Sequence, residues 1–195
     1  MRNFVVLAFV LLIGIQAEAQ VKVSPGLRGG LNISTLSNID DNSSKTDFYV
    51  GGLVNIKFNR FFSVQPELNY SRQGDEGRYF ENGRYYSEKY ELNYITLGAV
   101  AKFNFGGGGF HLLAGPSLDL KVSDNYVNTK PEDYDLSFVG GVGYTLPNGL
   151  TFEARFKQGL IDIYGYDGID DGYYYDQVIL NQVFQLGISY TFKTK

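Results

Sequence analysis

The chain has 195 residues, 17 Lys and Arg against 21 Asp and Glu, a net charge of −4 and no cysteine. One domain accommodates that length. The charge offers nothing to nucleic acid, and the lack of cysteine excludes disulfides, thiolate metal sites and a lipid-modified N-terminal cysteine.

The N-terminal stretch reads as a secretory signal. Arg2 supplies the positive start, "FVVLAFVLLIGI" at 4–15 the apolar run, and "AEA" at 17–19 the cleavage pattern. The expected organisation is a signal peptide over 1–19 and one domain over 20–195. After residue 20 no apolar run is long enough for a transmembrane helix.

Period-2 segments dominate instead. The first, at 26–34, sets Leu27, Leu31 and Ile33 against Arg28 and Asn32. The second, at 47–58, sets Phe48, Val50, Val54 and Ile56 against Tyr49, Asn55 and Lys57. The third, at 61–72, sets Phe62, Val64, Leu68 and Tyr70 against Gln65, Glu67 and Asn69. The fourth, at 92–103, sets Ile95, Leu97, Ala99 and Phe103 against Tyr94, Thr96 and Lys102. The fifth, at 110–121, sets Leu112, Ala114, Leu118 and Leu120 against Ser117, Asp119 and Lys121. The sixth, at 134–146, sets Leu136, Phe138, Val142 and Tyr144 against Asp135, Ser137 and Val139. The seventh, at 150–160, sets Leu150, Phe152, Ala154 and Phe156 against Glu153, Arg155 and Lys157. The last sets Phe184, Leu186, Ile188, Tyr190 and Phe192 against Gln185 and Ser189.

Eight strands of about ten residues suit tilted crossings of a bilayer. Three connections are short, at Asn59-Arg60, Gly106–Gly109 and 147–149. The other four are expected as long loops over 35–46, 73–90, 122–133 and 162–177. Short turns at one end and long loops at the other are the asymmetry of outer-membrane barrels, with the short turns in the periplasm. Pro66 and Pro116 fall inside strands, where a missing donor predicts bulges.

Alternation alone does not say which face is inside. A lipocalin-like soluble barrel would bury the apolar face, and a membrane barrel would expose it. Three features favour the membrane: the export signal, the final strand ending on Phe192, and aromatic residues near strand ends on the apolar face. The polar face then lies in the lumen. Its charges are Arg28, Lys57, Glu67, Lys102, Asp119, Lys121, Asp135, Glu153, Arg155 and Lys157, a mixture of signs suited to an enclosed ion-pair network. The fold class expected is all-β, an eight-stranded antiparallel up-and-down transmembrane barrel behind a cleavable signal peptide.

The segments "SVQPELNYSRQG" (63–74), "LNYITLGAVAKF" (92–103), "LLAGPSLDL" (112–120), "GGVGYTL" (140–146), "EARFKQGLIDI" (153–163) and "VFQLGISYTF" (183–192) follow in order. This series resembles the PorT-type outer-membrane β-barrel family typical of Bacteroidetes. The resemblance implies a barrel and an outer-membrane location, and for the founding member a link to type IX protein secretion. Thr96 and Gly98 depart from the family's usual acidic residue and proline, and Phe156-Lys157-Gln158 from its usual aromatic, Asn and aromatic.

Catalytic chemistry is sparse. His111 is the only histidine and has no second histidine or cysteine to complete a site, so it reads as a residue near the periplasmic rim. No helical pattern follows the glycines at 106–109 or 140–143, which removes a phosphate-loop reading. The final long connection carries Tyr164, Tyr166, Tyr173, Tyr174 and Tyr175, a candidate contact surface for a protein or glycan. Asp167, Asp170 and Asp171 are its calcium candidate, although Ile169 breaks the EF-hand spacing. The reading is a non-catalytic, cofactor-free barrel in contact with outer-membrane lipid. The alternatives are an accessory component of a secretion or envelope complex, a small channel, and a lipid-modifying barrel enzyme.

Overall fold

The computed structural model describes residues 21–38, 42–81, 84–106, 109–126, 130–163 and 178–192. Among them there is no α-helix. The strands are β1 (Lys22–Leu36), β2 (Asn42–Lys57), β3 (Phe62–Glu81), β4 (Arg84–Asn104), β5 (Phe110–Asp124), β6 (Tyr134–Thr145), β7 (Leu150–Gly159) and β8 (Asn181–Thr191). Each pairs antiparallel with its sequence neighbour, and β1 pairs with β8 from Gly26↔Thr191 to Leu36↔Asn181, which closes the barrel. Closure leaves no sheet edge along the paired length.

The period of two sends alternate side chains to opposite sides of the wall. Leu27, Leu31, Val50, Leu68, Leu97, Phe138, Phe156 and Ile188 are all more than 40% exposed. Arg28, Asn32, Gln65, Glu67, Asp119, Glu153, Arg155 and Lys157, their alternating neighbours, are all buried. A soluble barrel would reverse this. The apolar surface is outside and the ionic one is enclosed.

The short turns are built by local hydrogen bonds. Asn59 Oδ1 accepts from the amides of Phe61 and Phe62, each at 2.8 Å. Gly109 has φ +83°, and a Cβ there would run into the Thr145 carbonyl, so the β4–β5 turn requires glycine.

Two expectations are corrected. The first concerns loop length: β3 and β4 run far beyond the apolar belt and pair as far as Glu81↔Arg84, so most of 73–90 is a projecting hairpin. Likewise β1 and β2 leave only five residues, 37–41, between them. Beyond the membrane no lipid faces the outside of a strand, so the alternation that marks a strand disappears while backbone pairing continues. The second concerns the prolines. Pairing skips Pro66 on its β2 side and Pro116 on its β4 side, yet the register is unchanged across each skip. A proline lacks a donor toward one neighbour only, and both rings are exposed on the lipid side, so no extra residue is needed. The register shifts fall elsewhere, between Ser44 and Tyr49 and between Asn93 and Tyr94.

Candidate functional site

The interior is a stack of layers. Near the short-turn end, Arg155 on β7 is the hub. Its Nη1 and Nη2 donate to Glu67 Oε2 and Oε1 at 2.9 and 2.7 Å, a bidentate pair. Its Nε and Nη2 donate to Glu153 Oε2 at 3.0 and 2.6 Å. Arg28 from β1 also pairs with Glu67, and Gln65 Nε2 donates to Glu67 Oε1 at 2.6 Å. Lys102 from β4 donates to Glu153 Oε1 at 2.6 Å. One ion cluster thus ties together β1, β3, β4 and β7.

Tyr49 closes the same layer. Arg28 lies 4.7 Å over its ring, a cation–π contact, and Arg28 Nη2 donates to its hydroxyl at 3.2 Å. A side chain at Gly187 on β8, the other neighbour of β1, would collide with that hydroxyl, which explains glycine there.

A second ionic layer lies nearer the loop end. Lys157 pairs with Asp119, and Thr96 Oγ1 donates to Asp119 Oδ1 at 2.6 Å. Asp135, directly across the ladder from Asp119, accepts from Ser137 Oγ at 3.3 Å and from the Ile161 amide at 3.3 Å. The two layers balance: Arg28, Lys102, Arg155 and Lys157 face Glu67, Glu153, Asp119 and Asp135, all buried. Buried charges are tolerated only when paired in this way. Between the layers a cavity of about 20 Å³ remains, lined by Asn69, Ser117, Arg155 and Lys157. That is room for roughly one water.

An apolar layer covers the ions at the loop end. Leu36, Leu92, Tyr94, Ile163 and Ile179 form one buried cluster, with Tyr126 packed against it. Ile163 and Ile179 belong to the two bases of the β7–β8 connection. The Ile163 amide donates to Ile179 O at 2.9 Å, the Glu132 amide to Ile163 O at 2.7 Å, and the Ser37 amide to Leu180 O at 2.9 Å.

Level with this cap Arg72 pairs with Glu91 at 2.5 Å and Asp47 at 3.5 Å. On the outer face of β3, Arg72 marks where the apolar belt ends. Asp75 lies beyond it, 3% exposed. Burial pushes its carboxyl up to about 6, against the opposing pull of Lys45.

Of the ten charges expected in the lumen, eight are buried there. Lys57 is a correction: as the last residue of β2 it is exposed at the short-turn rim, where no wall encloses it. Lys121 is half-buried at the loop end, with Asp124 at 3.1 Å, Asp133 at 3.4 Å and the Pro131 carbonyl. His111, the second residue of β5, lies near the short-turn rim as expected, with its ring turned inward. It is 1% exposed inside the barrel, its Nε2 3.4 Å from Glu153 Oε1. Its place in the strand period, two residues before Leu113 on the inner face, was the available signal. Tyr49 and Asp75 were missed as partners of the lumen and rim charges. Tyr164, Tyr166, Tyr173, Tyr174, Tyr175, Asp167, Asp170 and Asp171 lie outside the described residues.

Fold and interior together define an eight-stranded outer-membrane β-barrel with a filled, ion-paired lumen. The sequence matches the family described as outer membrane protein beta-barrel domain over residues 16–165, most of the chain, and the protein belongs to it. Its location is therefore the bacterial outer membrane. Among solved structures it is similar to neisserial surface protein A, at 14% identity and a TM-score of 0.52, covering 87% of this chain and 97% of that one. It is also similar to Ail, the attachment invasion locus protein of Yersinia pestis, at 12% identity and a TM-score of 0.50, covering 88% and 99%. At such identities the likeness is one of fold. No curated protein sequence matches the chain.

Proposed function

We propose that this is a non-catalytic surface barrel whose working parts are its extracellular loops, exported behind a signal peptide over residues 1–19. The carrying observation is the interior. Paired charges and an apolar cap fill it, leaving about 20 Å³ between the ionic layers. With its lumen filled, the barrel presents its outer end, where the loops stand, to a partner outside the cell. There the sequence concentrates carboxylates and tyrosines, in the projecting hairpin and in 162–177. Tyrosine supplies large amphipathic contact area at low entropic cost, which suits a protein or glycan partner. The attachment role in Ail's name belongs to Ail and lends the reading only a precedent.

The test compares wild type with a chain in which 164–177 is replaced by a short Gly-Ser linker. Both are reconstituted in nanodiscs and offered to glycan arrays and host-surface extracts. Binding lost with the loop supports the reading. Binding that survives replacement of this loop and of the hairpin tip contradicts it.

The PorT-type motifs favour a second reading, an accessory component of a secretion or envelope complex. A stoichiometric envelope partner in cross-linked pull-downs distinguishes it from the first.

A further inference from the structure

The lipid-facing wall carries a shallow, open depression of about 600 Å³ across β5, β6, β7, β8 and β1. The registers explain it. Phe110, Tyr144, Phe152 and Ile188 stand side by side as one row of outward side chains. Val142, Ala154, Leu186 and Leu31 form the next row. Between the rows run Gly143, Glu153, Gly187 and Gly30, whose inward-facing positions leave only strand backbone as a floor. Gly29 and Ala154, small residues on the outer face, widen the groove.

Its course is directional. One end lies at Phe110, the first residue of β5, and Tyr144, next to the end of β6, so it opens at the periplasmic interface. The other end lies at Leu31, partway up β1. Four strand spacings of roughly 4.8 Å make it about 19 Å long. Climbing obliquely, that length crosses about half of a hydrocarbon core roughly 30 Å thick.

We propose that this groove is a binding site for one acyl chain of a phospholipid in the periplasmic leaflet. Its surface is hydrocarbon-facing and continuous with the apolar belt, so its occupant is apolar. Its narrow floor between two side-chain rows admits a flexible chain. A second barrel, convex like the first, would touch the ridges and leave the floor empty. The site is independent of the loops and of any partner they hold.

The test is native mass spectrometry of the protein refolded in detergent with palmitoyl-oleoyl phosphatidylethanolamine, then exchanged into lipid-free detergent. Wild type should retain one lipid mass. Ala154→Phe, which fills the groove, should retain at least tenfold less, whereas Ala99→Phe, another outward alanine away from the groove on β4, should retain as much as wild type. If Ala154→Phe gives no heat-modifiable folded band, Ala154→Leu takes its place. A bare wild-type mass, equal retention by all three proteins, or a dimer lost in the Ala154 variant would overturn the proposal, the last assigning the groove to a second copy.

Discussion

Arg155 donates to two carboxylates from two strands, and both carboxylates are buried. Removing one partner of a buried pair leaves the other charge stranded, at a cost of roughly 3–5 kcal/mol. Arg155→Ala and Glu67→Ala should each lose that much in urea unfolding from detergent micelles. A melt of either variant that overlays wild type would mean a wetter lumen than the hydrogen bonds imply. Asp75 makes an opposite kind of prediction. Its folded-state carboxyl binds a proton up to about pH 6, whereas the ordinary value is 3.8. Between those limits the folded state holds more protons than the unfolded state, so stability falls as pH rises through the window. Asp75→Asn should remove about 1–3 kcal/mol of that loss, so its advantage over wild type should be larger at pH 7 than at pH 4. An advantage that is the same at both values would remove the burial account.

At the scale of elements, the β7–β8 connection does more than link two strands. Its bases fold inward and place Ile163 and Ile179 over the ionic layers. Ile179→Ala should cost about 2–4 kcal/mol by opening a void in the cap, and should speed cleavage of the intact protein by external protease within 160–180. Unchanged stability together with unchanged cleavage would show that the cap bears no load. The strands in the membrane were legible from sequence because lipid and lumen demand opposite side chains, and that demand writes a period of two. Glu67, Glu153 and Arg155 were legible for the same reason. The projecting hairpin was not, since beyond the belt no lipid faces the outside of β3 and β4, and residues 73–90 carry no such pattern. Nor was the cap, because Ile163 and Ile179 stand in the short apolar stretches 160–163 and 178–180, which show no alternation, and only the closed barrel brings them to Leu36, Leu92 and Tyr94. The prolines misled because a missing donor does not by itself demand a bulge. Lys57 misled because parity says which way a side chain points and not whether a wall still surrounds it.

At the scale of the molecule, an ionic core inside and hydrocarbon outside is the reverse of a soluble protein, and the fold is stable only because each medium is met by the face suited to it. The filled interior also predicts electrical silence. Purified protein in planar bilayers should show no discrete conductance steps, and regular single-channel openings would contradict the layered lumen. The orientation of the two faces carries every other conclusion. It is tested most directly by single cysteines, introduced into a chain that has none, at Leu186 and Ile188 and at Gln185 and Ser189, each spin-labelled in lipid vesicles. Labels at 186 and 188 should relax strongly with dissolved oxygen and hardly at all with an aqueous nickel chelate, while those at 185 and 189 should be shielded from hydrocarbon. Labels at 186 and 188 reporting water, with those at 185 and 189 reporting lipid, would contradict the account.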